Sequence, residues 1–266
     1  MSDYSTYVFD LDGVLYLGDT AIPYATQTIE RLQSLGKSVY FLTNNSGSTR
    51  AAYVEKLKAV NGLSVSSDQI YTSALACALY LRERGASGKT AFVIGEAGLV
   101  EDLEQTGGLR VVTRPDAVGF DSVDYVIVGI DRQFSYEKLC FAHLAITRGH
   151  AEFIATNRDA TYPMEGGTVP GAGSLVISVA TATGREPLTI GKPEPPSLQA
   201  ILTVSGSPAE RTVMVGDRLD TDILVGNRLG TQTVLVLTGV TPIDAARAAP
   251  PACLPHRIIP DLRELL

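Results

Sequence analysis

The stretch Tyr7-Val8-Phe9-Asp10-Leu11-Asp12-Gly13-Val14 predicts a short buried strand that ends at two carboxylates and a glycine. Its aromatic and β-branched residues favour the pleated conformation, and Gly13 permits a turn that a residue with a Cβ would resist. Because Asp10 and Asp12 lie close together where the strand ends, a metal ion, a cation or a proton must offset their like charges. On this stretch alone, the alternative is that both aspartates are solvated turn residues.

The composition is that of an ordinary globular protein and disfavours several classes of partner. The 266 residues are 45% hydrophobic and 19% charged, enough for one large α/β domain or a domain with a smaller insert. A formal net charge of −7 without a Lys/Arg-rich run disfavours nucleic acid. No apolar stretch approaches the roughly 20 residues of a membrane helix, and the first residues lack the basic start of a signal peptide. Three widely spaced cysteines indicate reduced thiols, so we expect a cytoplasmic protein.

Apolar strand patterns alternate with helical patterns along most of the chain. The clearest strand patterns lie at 38–42, 91–95, 125–129, 152–156, 212–215 and 233–237. Near-continuous apolar strands that alternate with helices predict an α/β fold, with a mostly parallel, doubly wound sheet covered on both faces. The alternation restarts near Gly85, which fits an inserted smaller domain.

Four of the predicted strands end in loops with polar or charged side chains. These loops are Asp10-x-Asp12, Thr43-Asn44-Asn45, Gly191-Lys192 and Gly216-Asp217. Because ligands of parallel sheets bind beyond the carboxyl ends of the strands, we expect the four loops to meet at one edge of the sheet.

The acidic residues of these loops suit a hard divalent cation. Asp10, Asp12 and Asp217 offer oxygen ligands, and a set without His or Cys favours Mg²⁺ over zinc. Asp222, about one helical turn beyond Asp217, is positioned to orient a ligand or a metal-bound water. The alternative for Asp217 and Asp222 is that they only cap the next helix.

The remaining groups suit a phosphate dianion. Thr43 offers a hydroxyl, and Asn44 and Asn45 are expected to offer backbone N–H groups at a helix start, which favours anions. Lys192 supplies a point positive charge of the kind used against phosphate. The alternatives are an N-cap role for Thr43 and an ordinary surface position for Lys192.

An aspartate pair can also carry out the chemistry of phosphate ester hydrolysis. Asp10 is the predicted nucleophile, which would form an aspartyl-phosphate. Asp12 is the predicted general acid and base, which protonates the leaving oxygen and later deprotonates a water. This role requires that the surroundings of Asp12 raise its pKa.

These motifs together resemble the haloacid dehalogenase (HAD) superfamily of phosphatases, and within it the NagD/4-nitrophenylphosphatase-like branch with a C2-type cap. The matching residues, in the order of that family, are Asp10-Leu11-Asp12-Gly13-Val14, Thr43-Asn44-Asn45-Ser46, Gly191-Lys192-Pro193 and Gly216-Asp217-Arg218-Leu219-Asp220-Thr221-Asp222. The resemblance implies a Rossmann-like core formed by residues 1–80 and 187–266, with an α/β cap domain inserted at 81–186. It also implies Mg²⁺ bound by Asp10, the backbone carbonyl of Asp12, and Asp217.

The same resemblance points to candidate substrate contacts in the cap. The segment Asn157-Arg158-Asp159-Ala160-Thr161-Tyr162-Pro163 is similar to the stretch with which this branch reaches its substrates, so Asn157, Arg158 and Tyr162 are candidate contacts. A packing role for Tyr162 remains open, and pyridoxal-phosphate phosphatases of the branch carry a histidine there. The resemblance also implies a homodimer formed through the cap.

The sequence therefore predicts a Mg²⁺-dependent phosphomonoesterase acting on small phosphorylated metabolites, which would also accept artificial substrates such as 4-nitrophenyl phosphate. The alternatives are a phosphomutase or a dehalogenase on the same fold, or a module that accepts a phosphoryl group without turning it over. The physiological substrate is not identified by the sequence.

Overall fold

The computed structural model describes residues 4–164 and 167–265. In these ranges the strands are β1 Thr6–Phe9, β2 Tyr16–Leu17, β3 Thr20–Ala21, β4 Ser38–Thr43, β5 Ile70–Thr72, β6 Thr90–Ile94, β7 Arg110–Val112, β8 Tyr125–Val128, β9 Glu152–Ala155, β10 Thr161–Met164, β11 Gly167–Pro170, β12 Leu188–Thr189, β13 Thr212–Gly216, β14 Gln232–Val236 and β15 Arg257–Ile259. The α-helices are α1 Ala25–Ser34, α2 Arg50–Asn61, α3 Ser73–Glu83, α4 Ala97–Gln105, α5 Tyr136–Thr147, α6 Ala172–Thr183, α7 Pro196–Ser205, α8 Leu224–Leu229 and α9 Ile243–Arg247. None of the helices in the described ranges is long and apolar enough to cross a bilayer.

The chain packs as two compact units. Unit 1 contains the described residues up to Thr43, the segment Arg50–Tyr71, and the described residues from Lys192 onward. Unit 2 contains the short segment Asn44–Thr49 and the described residues of Thr72–Gly191. The division into a core and a cap at residues 80/81 and 186/187 remains a prediction from the sequence.

Unit 1 is organised around β1, the strand that directly precedes Asp10. Its sheet has the order β15-β14-β13-β1-β4-β5, and β1 pairs in parallel with both β13 and β4. All four residues of β1 are buried, and the rings of Tyr7 and Phe9 join an apolar cluster that includes Phe41 and Val215. Burying such a side chain contributes about 1.5–3 kcal/mol. A central, fully buried strand therefore fixes the backbone immediately before Asp10.

Unit 2 has its own sheet and its own core. The sheet order is β12-β9-β8-β6-β7, and every neighbouring pair in it is parallel. The rings of Phe92 and Phe141 lie 4.3 Å apart between centroids in a cluster formed by the strands, α5 and α6. The hairpin β10–β11 is antiparallel. The predicted α/β class with a Rossmann-like parallel sheet is confirmed.

Candidate active site

Lys192 links three parts of unit 1 at the carboxyl end of its sheet. The ammonium donates hydrogen bonds to Asp10 Oδ1 at 2.7 Å and to Asp222 Oδ1 at 2.6 Å. It also donates to the carbonyl of Leu42, in β4, at 3.2 Å. Only 3% of Lys192 is exposed, so it is not a surface lysine. Asp10 itself follows β1, and its N–H donates to the carbonyl of Val215 in β13.

Asp217 and Asp222 complete a cluster of carboxylates around this lysine. One oxygen from each of Asp10, Asp217 and Asp222 lies within 4.8 Å of the others. Asp222 lies in a π-helical turn, Leu219–Ile223, and its Oδ2 accepts the N–H of Arg218 at 3.1 Å. The predicted grouping of Asp10, Lys192 and Asp217 is therefore present in unit 1. Asp10 and Asp217 follow β1 and β13 of the same sheet, but the strand before Lys192, β12, pairs with β9 in the sheet of unit 2. The expectation that all four loops follow strands of one sheet is therefore wrong for Lys192.

The carboxyl group of Asp217 is held between two glycines. Its Oδ2 accepts the N–H of Val240 at 2.7 Å. A Cβ at Gly239 would overlap this carboxylate, and a Cβ at Gly13 would lie 2.5 Å from Oδ2. Gly13 also has a φ of +82°, a conformation that residues with a side chain rarely adopt. Asp217 Oδ1 is buried and has no hydrogen-bond partner within the described part of the chain.

The electrostatics of this cluster are unbalanced. In the described part of the chain, two of the three buried carboxylates of the cluster pair with one buried ammonium, which leaves a net charge of −2 on these four groups when all are ionised. Burial and the neighbouring Asp222 raise the pKa of Asp217 to about 7, although the N–H of Val240 opposes this. Burial also raises the pKa of Asp10, against the attraction of Lys192. Burial alone would lower the pKa of Lys192, but Asp10 and Asp222 outweigh it and raise that pKa.

These features fit a hard divalent cation such as Mg²⁺. The ligand set is made of oxygen atoms, which is what Mg²⁺ prefers. The two positive charges of the ion would balance the net charge of −2 on the cluster. Asp217 Oδ1, which has no hydrogen-bond partner in the described residues, offers a buried ligand atom. A buried acceptor without a partner costs free energy, which a bound cation would recover.

Asp12 has the electrostatic property that an acid/base role requires. Asp12 lies in the turn that joins β1 to β2, two residues after Asp10, and its side chain is less buried than that of Asp10. Burial raises its pKa, while the positive charges of Lys56 and Lys192 act in the opposite direction. A raised pKa favours the protonated carboxyl that would donate to a leaving oxygen.

Thr43 and the two asparagines after it have different surroundings. Thr43 ends β4 in unit 1 and is buried. Asn44 belongs to unit 2, where its carbonyl accepts the hydroxyl of Ser73 at 2.5 Å and the Asn157 amide at 2.7 Å. Asn45 Oδ1 accepts the N–H of Gly47 at 2.8 Å, which closes a local turn.

The expectation that Asn44 and Asn45 lie at a helix start is wrong. The helix α2 begins at Arg50. The intervening residues form a loop that packs with unit 2, because the N–H of Gly98 donates to the carbonyl of Gly47 at 2.9 Å. A Cβ at Gly98 would overlap the carbonyl of Ser48, so this close contact requires glycine. The N–H groups of Asn44 and Asn45 therefore lack the contribution of a helix dipole.

The three candidate substrate contacts of unit 2 already have protein partners. Asn157 is buried and bonded to the carbonyl of Asn44. The guanidinium of Arg158 forms an exposed ion pair with Glu186 at 2.6 Å. The hydroxyl of Tyr162 accepts a hydrogen bond from Arg132 at 3.2 Å. Asn157 is thus bonded inside unit 2, while Arg158 and Tyr162 lie at its surface. Substrate contact by any of the three stays a prediction.

Sequence reasoning missed a fifth strand end. The segment Thr238–Val240 follows β14, and its Thr238 hydroxyl donates to the carbonyl of Gly13 at 2.6 Å. Its Val240 N–H binds Asp217, as described above. The segment carries no charge, so residue type gave no indication of its role. Its place directly after a parallel strand was the available signal.

Comparison with known proteins identifies the family of this chain. The sequence model described as haloacid dehalogenase-like hydrolase matches residues 7–108, and a second, HAD-hydrolase-like model matches residues 189–265. Glycerol-3-phosphate phosphatase of Gallus gallus is 38% identical over 277 aligned positions, covering 98% of this chain and 89% of the relative. Phosphoglycolate phosphatase 2 of Arabidopsis thaliana is 39% identical, covering 89% of this chain and 83% of the relative.

Solved structures share the fold over almost the whole chain. The p-nitrophenyl phosphatase from Archaeoglobus fulgidus superposes with a TM-score of 0.88 at 32% identity, covering 99% of this chain and 98% of that one. The glycerol phosphate phosphatase Rv1692 from Mycobacterium tuberculosis, in complex with magnesium, has a TM-score of 0.90 at 32% identity, covering 99% and 76%. With the motifs and the sheet order, these matches show that the chain belongs to the haloacid dehalogenase-like hydrolase family.

Proposed function

We propose that this protein is a Mg²⁺-dependent phosphomonoesterase that acts through an aspartyl-phosphate, an acyl phosphate formed on Asp10. That it is a phosphatase follows from its family and from the activities named for its relatives. The observation that carries the finer proposal is the buried cluster of Asp10, Asp217 and Asp222 around Lys192, which has two uncompensated negative charges.

In the first step, a carboxylate oxygen of Asp10 attacks phosphorus and the bond from phosphorus to the leaving oxygen breaks. Asp12 gives its proton to that oxygen, so the product leaves as an alcohol. In the second step, Asp12 takes a proton from a water, which attacks the phosphorus of the aspartyl-phosphate. Inorganic phosphate leaves, and both aspartates return to their starting states.

The proposed ligands of the ion are Asp10, the backbone carbonyl of Asp12, and Asp217, with Asp222 behind them. When bound, Mg²⁺ supplies positive charge that allows a phosphate dianion to approach these carboxylates. Lys192 holds the orientation of Asp10 through its hydrogen bond to Oδ1. The hydroxyl of Thr43 is a further proposed donor to phosphate.

The N–H groups of Asn44 and Asn45 are proposed donors to the same phosphate. Without a helix dipole they act through hydrogen bonds alone, each comparable to a donor of an oxyanion site.

The proposed substrates are small phosphorylated metabolites. The named relatives act on glycerol 3-phosphate and phosphoglycolate, so both compounds belong in a first panel, together with 4-nitrophenyl phosphate. Arg158 and Tyr162 are proposed to contact the part of the substrate beyond the phosphate. For such contact, the guanidinium of Arg158 must exchange its exposed partner Glu186 for the substrate. A homodimer through the predicted cap and a cytoplasmic location remain predictions.

The test is phosphate release from a panel of phosphate esters, with Mg²⁺ and with EDTA. We expect release that requires Mg²⁺ and stops with EDTA. Turnover of a haloacid that EDTA leaves unchanged would indicate a dehalogenase, and transfer to a sugar phosphate would indicate a phosphomutase. A phosphoenzyme that persists for hours without turnover would instead indicate a phospho-accepting module.

A further inference from the structure

The segment Thr238–Val240, which follows β14, contacts both acidic parts of the candidate site. The Thr238 hydroxyl donates to the carbonyl of Gly13 at 2.6 Å, and the N–H of Val240 donates to Asp217 Oδ2 at 2.7 Å. Neither group has chemistry of its own for phosphate transfer. Their contacts instead determine where other groups lie.

The contact with Val240 makes the two oxygens of Asp217 different. Oδ2 is bonded to the backbone, whereas Oδ1 is buried and has no hydrogen-bond partner in the ranges that the structure describes. Because the carboxyl group is planar, fixing Oδ2 also fixes the direction of Oδ1. A Cβ at Gly239 would occupy the space of this carboxylate, so the segment approaches Asp217 as closely as a backbone can.

The contact with Thr238 orients the turn after Asp10. The peptide unit that carries the Asp12 carbonyl also carries the Gly13 N–H, which donates to the carbonyl of Tyr16 at 2.9 Å. The next carbonyl, that of Gly13, accepts the Thr238 hydroxyl. The turn is thus held from both sides, which fixes the direction of the Asp12 carbonyl.

We propose that Thr238–Val240 is a positioning segment that presents Asp217 as a one-oxygen ligand and orients the Asp12 carbonyl for the same cation. Thr238 is accordingly a positioning residue for Mg²⁺ binding. This inference rests on the proposed Mg²⁺ site. Loss of a hydrogen bond that orients a metal ligand typically weakens metal affinity about 10–100-fold. Because the Thr238 bond acts on the turn rather than on Asp217 directly, we expect the lower end of this range.

The test is Mg²⁺ binding to the full chain by isothermal titration calorimetry. Thr238→Val keeps the shape of the side chain and removes the donor, so we expect Mg²⁺ to bind about tenfold more weakly. Thr238→Ser keeps the hydroxyl and should bind Mg²⁺ within about threefold of the unsubstituted protein. Thr26→Val is the matched control, because Thr26 donates a similar bond to the carbonyl of Asn61 at 2.7 Å, also in unit 1.

Thermal unfolding separates positioning from general stability. Without Mg²⁺, Thr238→Val and Thr26→Val should lower the melting temperature by similar amounts, because each loses one hydroxyl-to-carbonyl bond. With Mg²⁺, only Thr238→Val should show a smaller rise in melting temperature than the unsubstituted protein. Unchanged Mg²⁺ affinity in Thr238→Val, in a protein that binds Mg²⁺ and hydrolyses phosphate esters, would overturn this inference alone. Failure of the unsubstituted protein to bind Mg²⁺ would overturn both proposals.

Discussion

Replacing Lys192 with methionine removes the ammonium that, among the described residues, pairs with the buried carboxylates of Asp10 and Asp222. Methionine keeps the apolar length of the side chain, so the change is mainly electrostatic. The three carboxylates then lose the buried ammonium that offset part of their charge. Removing one partner of a buried ion pair typically costs about 3–5 kcal/mol. At pH 8 without Mg²⁺, we expect the free energy of unfolding of Lys192→Met to fall by about that amount.

The loss should depend on pH and on Mg²⁺. The pKa of Lys192 is raised, so its stabilisation of the native protein is present throughout the range below its ordinary pKa and does not change between pH 5.5 and 8. In the variant, the carboxyls bind protons more tightly in the folded than in the unfolded chain, so stability increases as the pH falls. Mg²⁺ supplies two positive charges and should recover much of the loss at pH 8.

The assay is urea unfolding followed by circular dichroism at pH 5.5 and 8, with and without Mg²⁺. Lys138→Met is the matched control, because Lys138 pairs with the single buried carboxylate of Asp131 at 2.7 Å in unit 2. It should lose stability that Mg²⁺ does not recover. We also expect the kcat of Lys192→Met to fall by about 10³, the upper range for loss of one preorganised donor. A loss of stability in Lys192→Met that is independent of both pH and Mg²⁺ would refute the electrostatic reasoning.

Two further predictions concern the aspartates. The pKa of Asp217 is raised from the ordinary aspartate value of 3.8 to about 7. The metal-free protein therefore loses stability as the pH rises from 3.8 through 7. Below pH 7, Mg²⁺ must displace the proton that Asp217 retains. The apparent Mg²⁺ affinity should therefore fall by up to about tenfold per pH unit below 7. Calorimetry in two buffers of different ionisation enthalpy measures the protons released on Mg²⁺ binding. Equal Mg²⁺ affinity at pH 5.5 and 7 would contradict this prediction. Asp12→Asn should lower kcat by about 10²–10⁴ for alkyl phosphates, and by much less for 4-nitrophenyl phosphate, whose leaving oxygen needs no proton. Equal losses for both esters would argue against Asp12 as the acid.

The main features of the cluster in unit 1 could be predicted from the sequence because they depend on one general property of parallel sheets. Strands with adjacent carboxyl ends bring their following residues together, so Asp10 and Asp217 could be grouped from the sequence. Lys192 joins them although its preceding strand, β12, belongs to the sheet of unit 2, so the same property does not explain its place. The apolar run before Asp10 predicted a strand buried on both faces, because such a strand is a continuous apolar segment in the sequence. All four residues of β1 are buried.

Other contacts had no signature in the residue types. The orienting role of Asp222, about one helical turn beyond Asp217, stays a prediction. Its bond to Lys192 and its place in a π-helical turn, Leu219–Ile223, had no signature in the sequence. The helix expected at Asn44 begins at Arg50, because tertiary hydrogen bonds in unit 2 replace those of a first helical turn. Local patterns do not encode such long-range partners.

The contacts of the segment Thr238–Val240 could not be predicted from the sequence either. One is made by a backbone N–H, which every residue except proline carries, and the other by a single hydroxyl. Only the fold shows that both donors end at the acidic cluster.

The central claim is that Asp10 is the nucleophile of a Mg²⁺-dependent phosphatase. Asp10→Asn tests it most directly, because the amide has nearly the same shape and cannot form an acyl phosphate. Phosphate release from 4-nitrophenyl phosphate should be measured with saturating Mg²⁺, alongside circular dichroism to verify the fold. The account predicts a folded variant with no detectable turnover; more than a trace of Mg²⁺-dependent hydrolysis by that variant would contradict it.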